Sequence, residues 1–177
     1  MQITLIRHLP TEWNKQQKLQ GRRDIELAPL TEASWQGVLQ NRLLLDKLAP
    51  FDEVLASTMK RTQQTAQIYG YPFTVEPLLD ELDFGPFEGL SKEKLYEYCG
   101  KKWMDHPEEL ILGESVANLK RRIVLFLEKY RDRQNILAFG HGTWIRAAIS
   151  YCYSGDINHM NKITVQNNEC VILNFHV

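Results

Sequence analysis

Ile136-Leu137-Ala138-Phe139 is an unbroken apolar run of strand length, with no polar residue to mark a solvated face. Such a strand is buried on both sides, as in parallel sheets covered by helices on each face. Ile3-Thr4-Leu5-Ile6 imposes nearly the same constraint at the start of the chain. Both runs finish on unusual residues. The first exits into Arg7-His8 and the later one into Gly140-His141-Gly142. Ligands of open α/β sheets bind at the carboxyl ends of the strands, so these exits hold candidate site residues. Taken alone, Arg7-His8 reads equally well as a solvated arginine and a loop histidine.

Three more segments read as strands: Val54-Leu55-Ala56, Phe73-Thr74-Val75 and Val171-Ile172-Leu173-Asn174-Phe175. Helical patterns lie between them. Thr31 caps a helix that carries Val38, Leu44, Leu45 and Leu48 on one face and ends at Pro50. Ser57-Thr58 begin a second helix that stops at Gly70, and short pieces follow over 92–98 and 103–105. From Ser115, Val116, Leu119, Ile123, Phe126, Leu127 and Tyr130 repeat at helical spacing, with Lys120, Arg121, Arg122, Glu128 and Lys129 facing solvent. A last helix runs through Ile145, Ala148 and Ile149, and the irregular stretch 77–89 is filled with carboxylates. Alternating strands and helices give an α/β class with a mostly parallel sheet.

At 177 residues the expectation is one domain, 1–177, large enough to bury a full core. A net charge of −1 gives no electrostatic reason to expect nucleic acid or a membrane as partner. Cys99, Cys152 and Cys170 are odd in number and lack metal-type spacing. They point to reduced thiols and a cytoplasmic setting. Met1-Gln2 lacks the basic start of a signal peptide, and no segment has the length and apolarity of a membrane span.

Parallel strands would bring three exits to one sheet edge: Arg7-His8, Ser57-Thr58 with Lys60-Arg61, and Gly140-His141-Gly142. Cations in a helix's first turn oppose its macrodipole. Lys60 is expected to point into water. For Arg61 the sharper reading holds: an anion between the helix end and the guanidinium would turn the conflict into cooperation. His141, flanked by glycines that let backbone approach a ligand, pairs naturally with His8.

These residues carry a family resemblance. Leu5-Ile6-Arg7-His8, Thr11-Glu12-Trp13-Asn14 and Gln20-Gly21-Arg22 resemble the signature of the histidine phosphatase superfamily, the phosphoglycerate-mutase-like proteins. The stretches 56–66, 81–89, 113–115 and 139–146 are similar to its later segments, in the same order. The resemblance implies a three-layer α/β/α sandwich around a mostly parallel sheet. It also implies a phosphatase in which His8 attacks phosphorus to form a phosphohistidine. Arg7 and Arg61 would clamp phosphoryl oxygens, and His141 would add a donor. Glu81 would protonate the leaving alkoxide and then activate water. Asn14, Gln20, Gly21 and Gly142 match phosphate-contacting positions. The implied partner is a small-molecule phosphate ester, with no metal and no cofactor, and oligomeric state is left open. Among the carboxylates, Asp80, Asp83 and Glu88 suit the acid role as well as Glu81 does on residue type; the resemblance alone selects Glu81.

The pattern departs from the family at Leu9-Pro10, where glycine and a polar residue are usual. Leucine resists positive φ, so the nucleophile loop or the substrate preference is expected to differ. Phe87 stands for the usual tryptophan, and Trp144 is read as core rather than pocket wall. The chain is similar to α-ribazole phosphatases and to broad-specificity phosphomonoesterases. Phosphoglycerate mutase is the rival enzyme, disfavoured by a chain that ends soon after its last strand. An inactive phosphate-binding module is the rival from another class, disfavoured by the intact set of catalytic side chains. A metal hydrolase fits less well, since His8 and Glu12 do not form HExxH and His106, His159 and His176 read as turn or surface residues.

Overall fold

The two apolar runs lie side by side at the centre of a five-stranded sheet. The computed structural model describes residues 1–176. In chain order the elements are β1 (Gln2–Arg7), α1 (Glu12–Lys15), α2 (Glu32–Leu48), β2 (Glu53–Ala56), α3 (Lys60–Tyr69) and β3 (Thr74–Val75). Then come α4 (Lys92–Cys99), α5 (Lys101–Asp105), α6 (Val116–Lys129), β4 (Asn135–Gly140), α7 (Gly142–Ser154) and β5 (Cys170–Asn174). The strand order is β3-β2-β4-β1-β5, parallel throughout except for β5, which runs antiparallel to β1.

Period-two alternation splits the core into two layers. Ile3, Leu5, Leu55, Ile136 and Ala138 join Leu119, Ile123 and Phe126 of α6 and Ile145 of α7 on one face. Ile6, Ala56, Leu137 and Phe139 join Val38 and Leu45 of α2 and Ala66 and Tyr69 of α3 on the other. Helices on both faces make this the three-layer arrangement. Register pairs Arg7 with Gly140 and Ala56 with Phe139, so β2, β4 and β1 finish together at one edge.

Four expectations change. On α2 only Val38 and Leu45 are fully buried; Leu44 is exposed, because one residue's 100° step turns it off the sheet-facing stripe. Ser57 and Thr58 precede α3 rather than beginning it, and Met59 is the N-cap. Their hydroxyls bond elsewhere, Ser57 to His141 and Thr58 to Asp80. Arg122 is buried instead of solvated, since the carbonyls of Leu78 and Asp80 bond its Nη1 and Glu114 its Nη2.

Leu9 is the fourth. It is 1% exposed and packs in the layer with Val38, Leu45, Tyr69 and Phe139. Its amide donates to Thr65 Oγ1 at 3.0 Å. Among the described non-glycine residues, positive φ occurs at Gln17 and Asn168, so Leu9 bears no such strain. A leucine here anchors the loop after β1 into the core. Trp144 is core as expected, edge-on to Phe126 at 5.6 Å, with Nε1 donating to the Leu78 carbonyl. Replacing Leu9 by alanine leaves a cavity and removes apolar burial. Urea unfolding is expected to show a loss of about 2–5 kcal/mol.

Candidate active site

The strand exits open into a cavity of about 370 Å³. Arg7, His8, Asn14, Gln20, Gly21, Arg61, Glu81 and Gly142 all line it. His141 lies against it, its ring centroid 5.4 Å from that of His8 in an edge-on arrangement. Leu9 and Pro10 are not among the lining residues, so the departure from the family pattern falls behind the cavity rather than in it.

His8 Nδ1 sits 2.7 Å from the Leu9 carbonyl oxygen. A carbonyl only accepts, so Nδ1 carries the proton and Nε2 keeps its lone pair. Burial, then Arg61 and Arg7, push the His8 pKa well below its ordinary value. The imidazole is therefore neutral near pH 7. His141 is held neutral in the same way, by burial first and then by Arg61, His8, Arg7 and Arg22. Its Nε2 lies 2.7 Å from Ser57 Oγ.

Backbone carbonyls, not carboxylates, hold the arginines. Arg7 Nη1 donates to Val165 O at 2.6 Å. Arg61 donates through Nη1 to Arg23 O at 2.6 Å and through Nη2 to Gly21 O at 2.7 Å. Burial lowers the pKa of each to about 10, so both stay charged at neutral pH. No carboxylate oxygen among the described residues lies within 4.0 Å of a guanidinium nitrogen of Arg7, Arg61 or Arg146. The site holds positive charge without a contacting counter-ion. Lys60 points outward toward Glu26, as expected. The helix end beside Arg61 is closed, however: the Lys60 amide donates to Asp24 Oδ1 at 2.7 Å. The N-terminus that faces the cavity belongs to α7.

Four carboxylates were equivalent on residue type, and geometry separates them. Asp80 takes the Thr58 amide and the Arg22 guanidinium. Asp83 caps the Gly85 amide, and Glu88 takes the Arg22 amide. Only Glu81 lines the cavity. Its Oε2 accepts from Thr143 N at 3.0 Å, and its Oε1 from Trp144 N at 3.1 Å and Leu82 N at 2.9 Å. It thus sits at the positive end of α7.

Amide orientations follow from their neighbours. Asn14 Oδ1 accepts from Thr11 N and Asn167 Nδ2, and Gln20 Oε1 takes the Thr11 hydroxyl. That leaves each NH2 group for the cavity. Gly21 has φ +52°, and a Cβ there would overlap the Glu88 carboxylate. At Gly142 a Cβ would lie 3.1 Å from Arg7 Cζ and Nε, so glycine lets the guanidinium lie against the start of α7.

Several lining residues escaped sequence reasoning. Lys18, Lys92 and Arg146 add cations, and Leu19, Phe84, Leu95 and Trp103 add an apolar wall. Burial lowers the Arg146 pKa, and its Nε has no partner among the described residues. Lys92, at the mouth, is lowered by partial burial and then by Arg7 and Arg146. Arg146 sits one helical turn beyond Gly142, a spacing that could have revealed it. Nothing local marks Lys92.

Residues 3–177 match the histidine phosphatase superfamily (branch 1). The chain belongs to that superfamily. It is 29% identical over 166 residues to phosphoserine phosphatase 1 of Hydrogenobacter thermophilus, covering 86% of this chain and 75% of that one. The structure of the protein from open reading frame Rv3214 of Mycobacterium tuberculosis is similar at a TM-score of 0.80, with 27% identity over 99% of this chain and 91% of the other. The α-ribazole phosphatase of Shigella flexneri shares the fold at a TM-score of 0.78 and 24% identity, with 99% and 91% covered. Among the described residues, no helix is long and apolar enough to cross a membrane.

Two predictions follow from this geometry. The folded protein keeps His8 and His141 uncharged below the ordinary value of 6.5, where the unfolded chain binds protons. Stability present above pH 6.5 is therefore lost as pH falls, by up to ~1.4 kcal/mol per pH unit for each histidine. Urea titrations between pH 7.5 and 5 measure it. Gly142→Ala should keep the unfolding midpoint, since alanine suits a helix, yet crowd Arg7 out of place and lower catalytic efficiency about tenfold.

Proposed function

We propose that this protein is a metal-independent phosphomonoesterase acting on a small phosphorylated metabolite through a phosphohistidine on His8. The observation that carries the reading is a neutral histidine with a free Nε2 beside uncompensated guanidinium groups and one carboxylate. The Nε2 lone pair would attack phosphorus in line while the P–O ester bond breaks, and Glu81 would give the leaving alkoxide its proton. Glu81, then a carboxylate, would take a proton from water as the water oxygen attacks phosphorus and the P–N bond breaks. That returns His8 to its starting state. Arg7, Arg61 and His141 would meet the charge on the transferring group, with Asn14, Gln20, Gly21 and Gly142 completing the phosphate contacts.

Lys92 and Arg146 support a substrate with a second anionic group, such as a phosphorylated hydroxy or amino acid. The phosphoserine phosphatase among the relatives agrees with this. The apolar wall of Phe84, Leu95 and Trp103 supports a second reading, α-ribazole 5'-phosphate, whose benzimidazole would need such a surface. Cys99, Cys152 and Cys170 are all free thiols, which fits the proposed cytoplasmic setting.

An aryl phosphate should be hydrolysed in the presence of chelator, and His8→Ala should abolish this; chelator-sensitive activity that survived His8→Ala would overturn the mechanism. Glu81→Gln should slow alkyl phosphates far more than aryl phosphates, whose leaving groups need no proton. Parallel assays with phosphoserine, 3-phosphoglycerate and α-ribazole phosphate decide the substrate class. Conversion of 3-phosphoglycerate to its 2-isomer would make the enzyme a mutase, and no turnover of any ester would make it a binding module.

A further inference from the structure

The Gly21–Arg22 peptide is gripped by a side chain at each end. Its N–H donates to Glu88 Oε1 at 2.8 Å, and its carbonyl oxygen accepts from Arg61 Nη2 at 2.7 Å. A trans peptide is planar, with N–H and C=O directed oppositely, so a group that holds one end directs the other. Both bonds are charge-assisted, carboxylate to N–H and guanidinium to C=O, and bonds in such a chain polarise one another. The second carbonyl that holds Arg61, Arg23 O, belongs to the same turn, which the Arg23 amide closes onto Gln20 O at 2.9 Å.

Glycine leaves this peptide free to face either way. Residue 21 has φ +52°, and glycine visits positive and negative φ about equally well, so the local chain does not choose a direction. Glu88 does. Its side chain is 8% exposed and fills the space that a Cβ on residue 21 would need. Its own segment is fixed in turn: the Gly89 amide donates to Leu19 O at 2.8 Å, and the Leu19 amide to Leu90 O at 2.9 Å. The Arg22 side chain bonds the Glu81 carbonyl and Asp80, which sets where residue 22 lies rather than how the preceding peptide faces. Arg23 reaches Glu88 Oε2 only at 3.5 Å from an exposed side chain, a pairing of little strength.

Glu88 makes no ion pair with Arg61 among the described residues, so the guanidinium is oriented and not neutralised. Burial lowers the Arg61 pKa to about 10, and Glu88 acts with Glu81 and Asp24 against that loss of charge.

We propose that Glu88 is a positioning residue for Arg61: by holding the Arg22 N–H it fixes the Gly21 carbonyl, and with it the plane in which the guanidinium meets a phosphoryl oxygen. The inference rests on reading Arg61 as part of a phosphate clamp. Glu88 does not line the cavity, and in this role it neither touches substrate nor moves a proton.

A double-mutant cycle tests it, read as catalytic efficiency with an aryl phosphate. Glu88→Ala should lower efficiency about tenfold in the wild-type background and cause no further loss in Arg61→Ala, where the group it acts through is gone. Two more variants separate bond from charge and serve where alanine does not fold. Glu88→Gln keeps an acceptor for the Arg22 amide and should stay within about twofold of wild type, whereas Glu88→Asp keeps the charge, loses the reach and should behave like alanine. Equal losses in the two backgrounds overturn the proposal, and so does a Glu88→Gln loss as large as that of Glu88→Asp. 1H–15N spectra follow the buried Arg61 Nε–H directly, assigned by its disappearance in Arg61→Ala. That signal should shift in Glu88→Asp and hold its place in Glu88→Gln; an unshifted signal in Glu88→Asp overturns the proposal. The spectra read the same whether or not an ester turns over. A wild-type protein without hydrolysis therefore removes the phosphatase reading, while the Arg61 signal still decides whether Glu88 positions it.

Discussion

Desolvated positive charge is the constraint around which this molecule is arranged. Arg7 and Arg61 are held by the carbonyls of Val165, Gly21 and Arg23, which fix their planes without neutralising them. A buried cation without an ion-pair partner is costly to keep. Burial first, and then the same charge, keep His8 and His141 neutral. The loops that supply those carbonyls, 21–23 and 164–166, are tied in turn, Arg22 to Glu88 and to the Glu81 carbonyl and Gln166 to Glu169.

The loop holding Glu81 shows how that support is built. Arg122 of α6 donates to the Leu78 and Asp80 carbonyls and pairs with Glu114 at 2.6 Å. Arg22 donates to the Glu81 carbonyl at 2.7 Å and reaches Asp80. Two arginines and two carboxylates thus satisfy one another and the backbone of 78–81. The neighbouring acids are consumed, and Glu81 alone is left to the cavity. Asn167 Nδ2 donates to the His8 carbonyl and Asn168 N to the Arg7 carbonyl, so the segment before β5 straps the exit of β1. Leu9 completes the fastening from below.

Much of this was legible in the residues. The apolar runs gave the strands, their two-sided burial gave the layers, and parallel order placed Arg7, His8, Arg61 and His141 at one edge. What failed had a common cause. Arg122 repeats with the polar residues of α6, but its charge is answered by Glu114, just before the helix cap, and by the Leu78 and Asp80 carbonyls of a distant loop. Leu9 looked like a misfit in a turn because turn chemistry is local, while its side chain belongs to a core layer assembled from α2, α3 and β4. Lys92 and Arg146 come together only in the folded chain, where α4 and α7 both line the cavity.

By itself, the sequence determined the α/β class, the strand exits and the kind of chemistry at them, because periodicity and residue type are properties of short stretches. Only the tertiary structure decided which carboxylate faces the cavity, which nitrogen of His8 is free, and which cations go unpaired. Those answers depend on hydrogen-bond partners tens of residues away, such as Glu81 with Thr143, and no local pattern records how the folded chain distributes them.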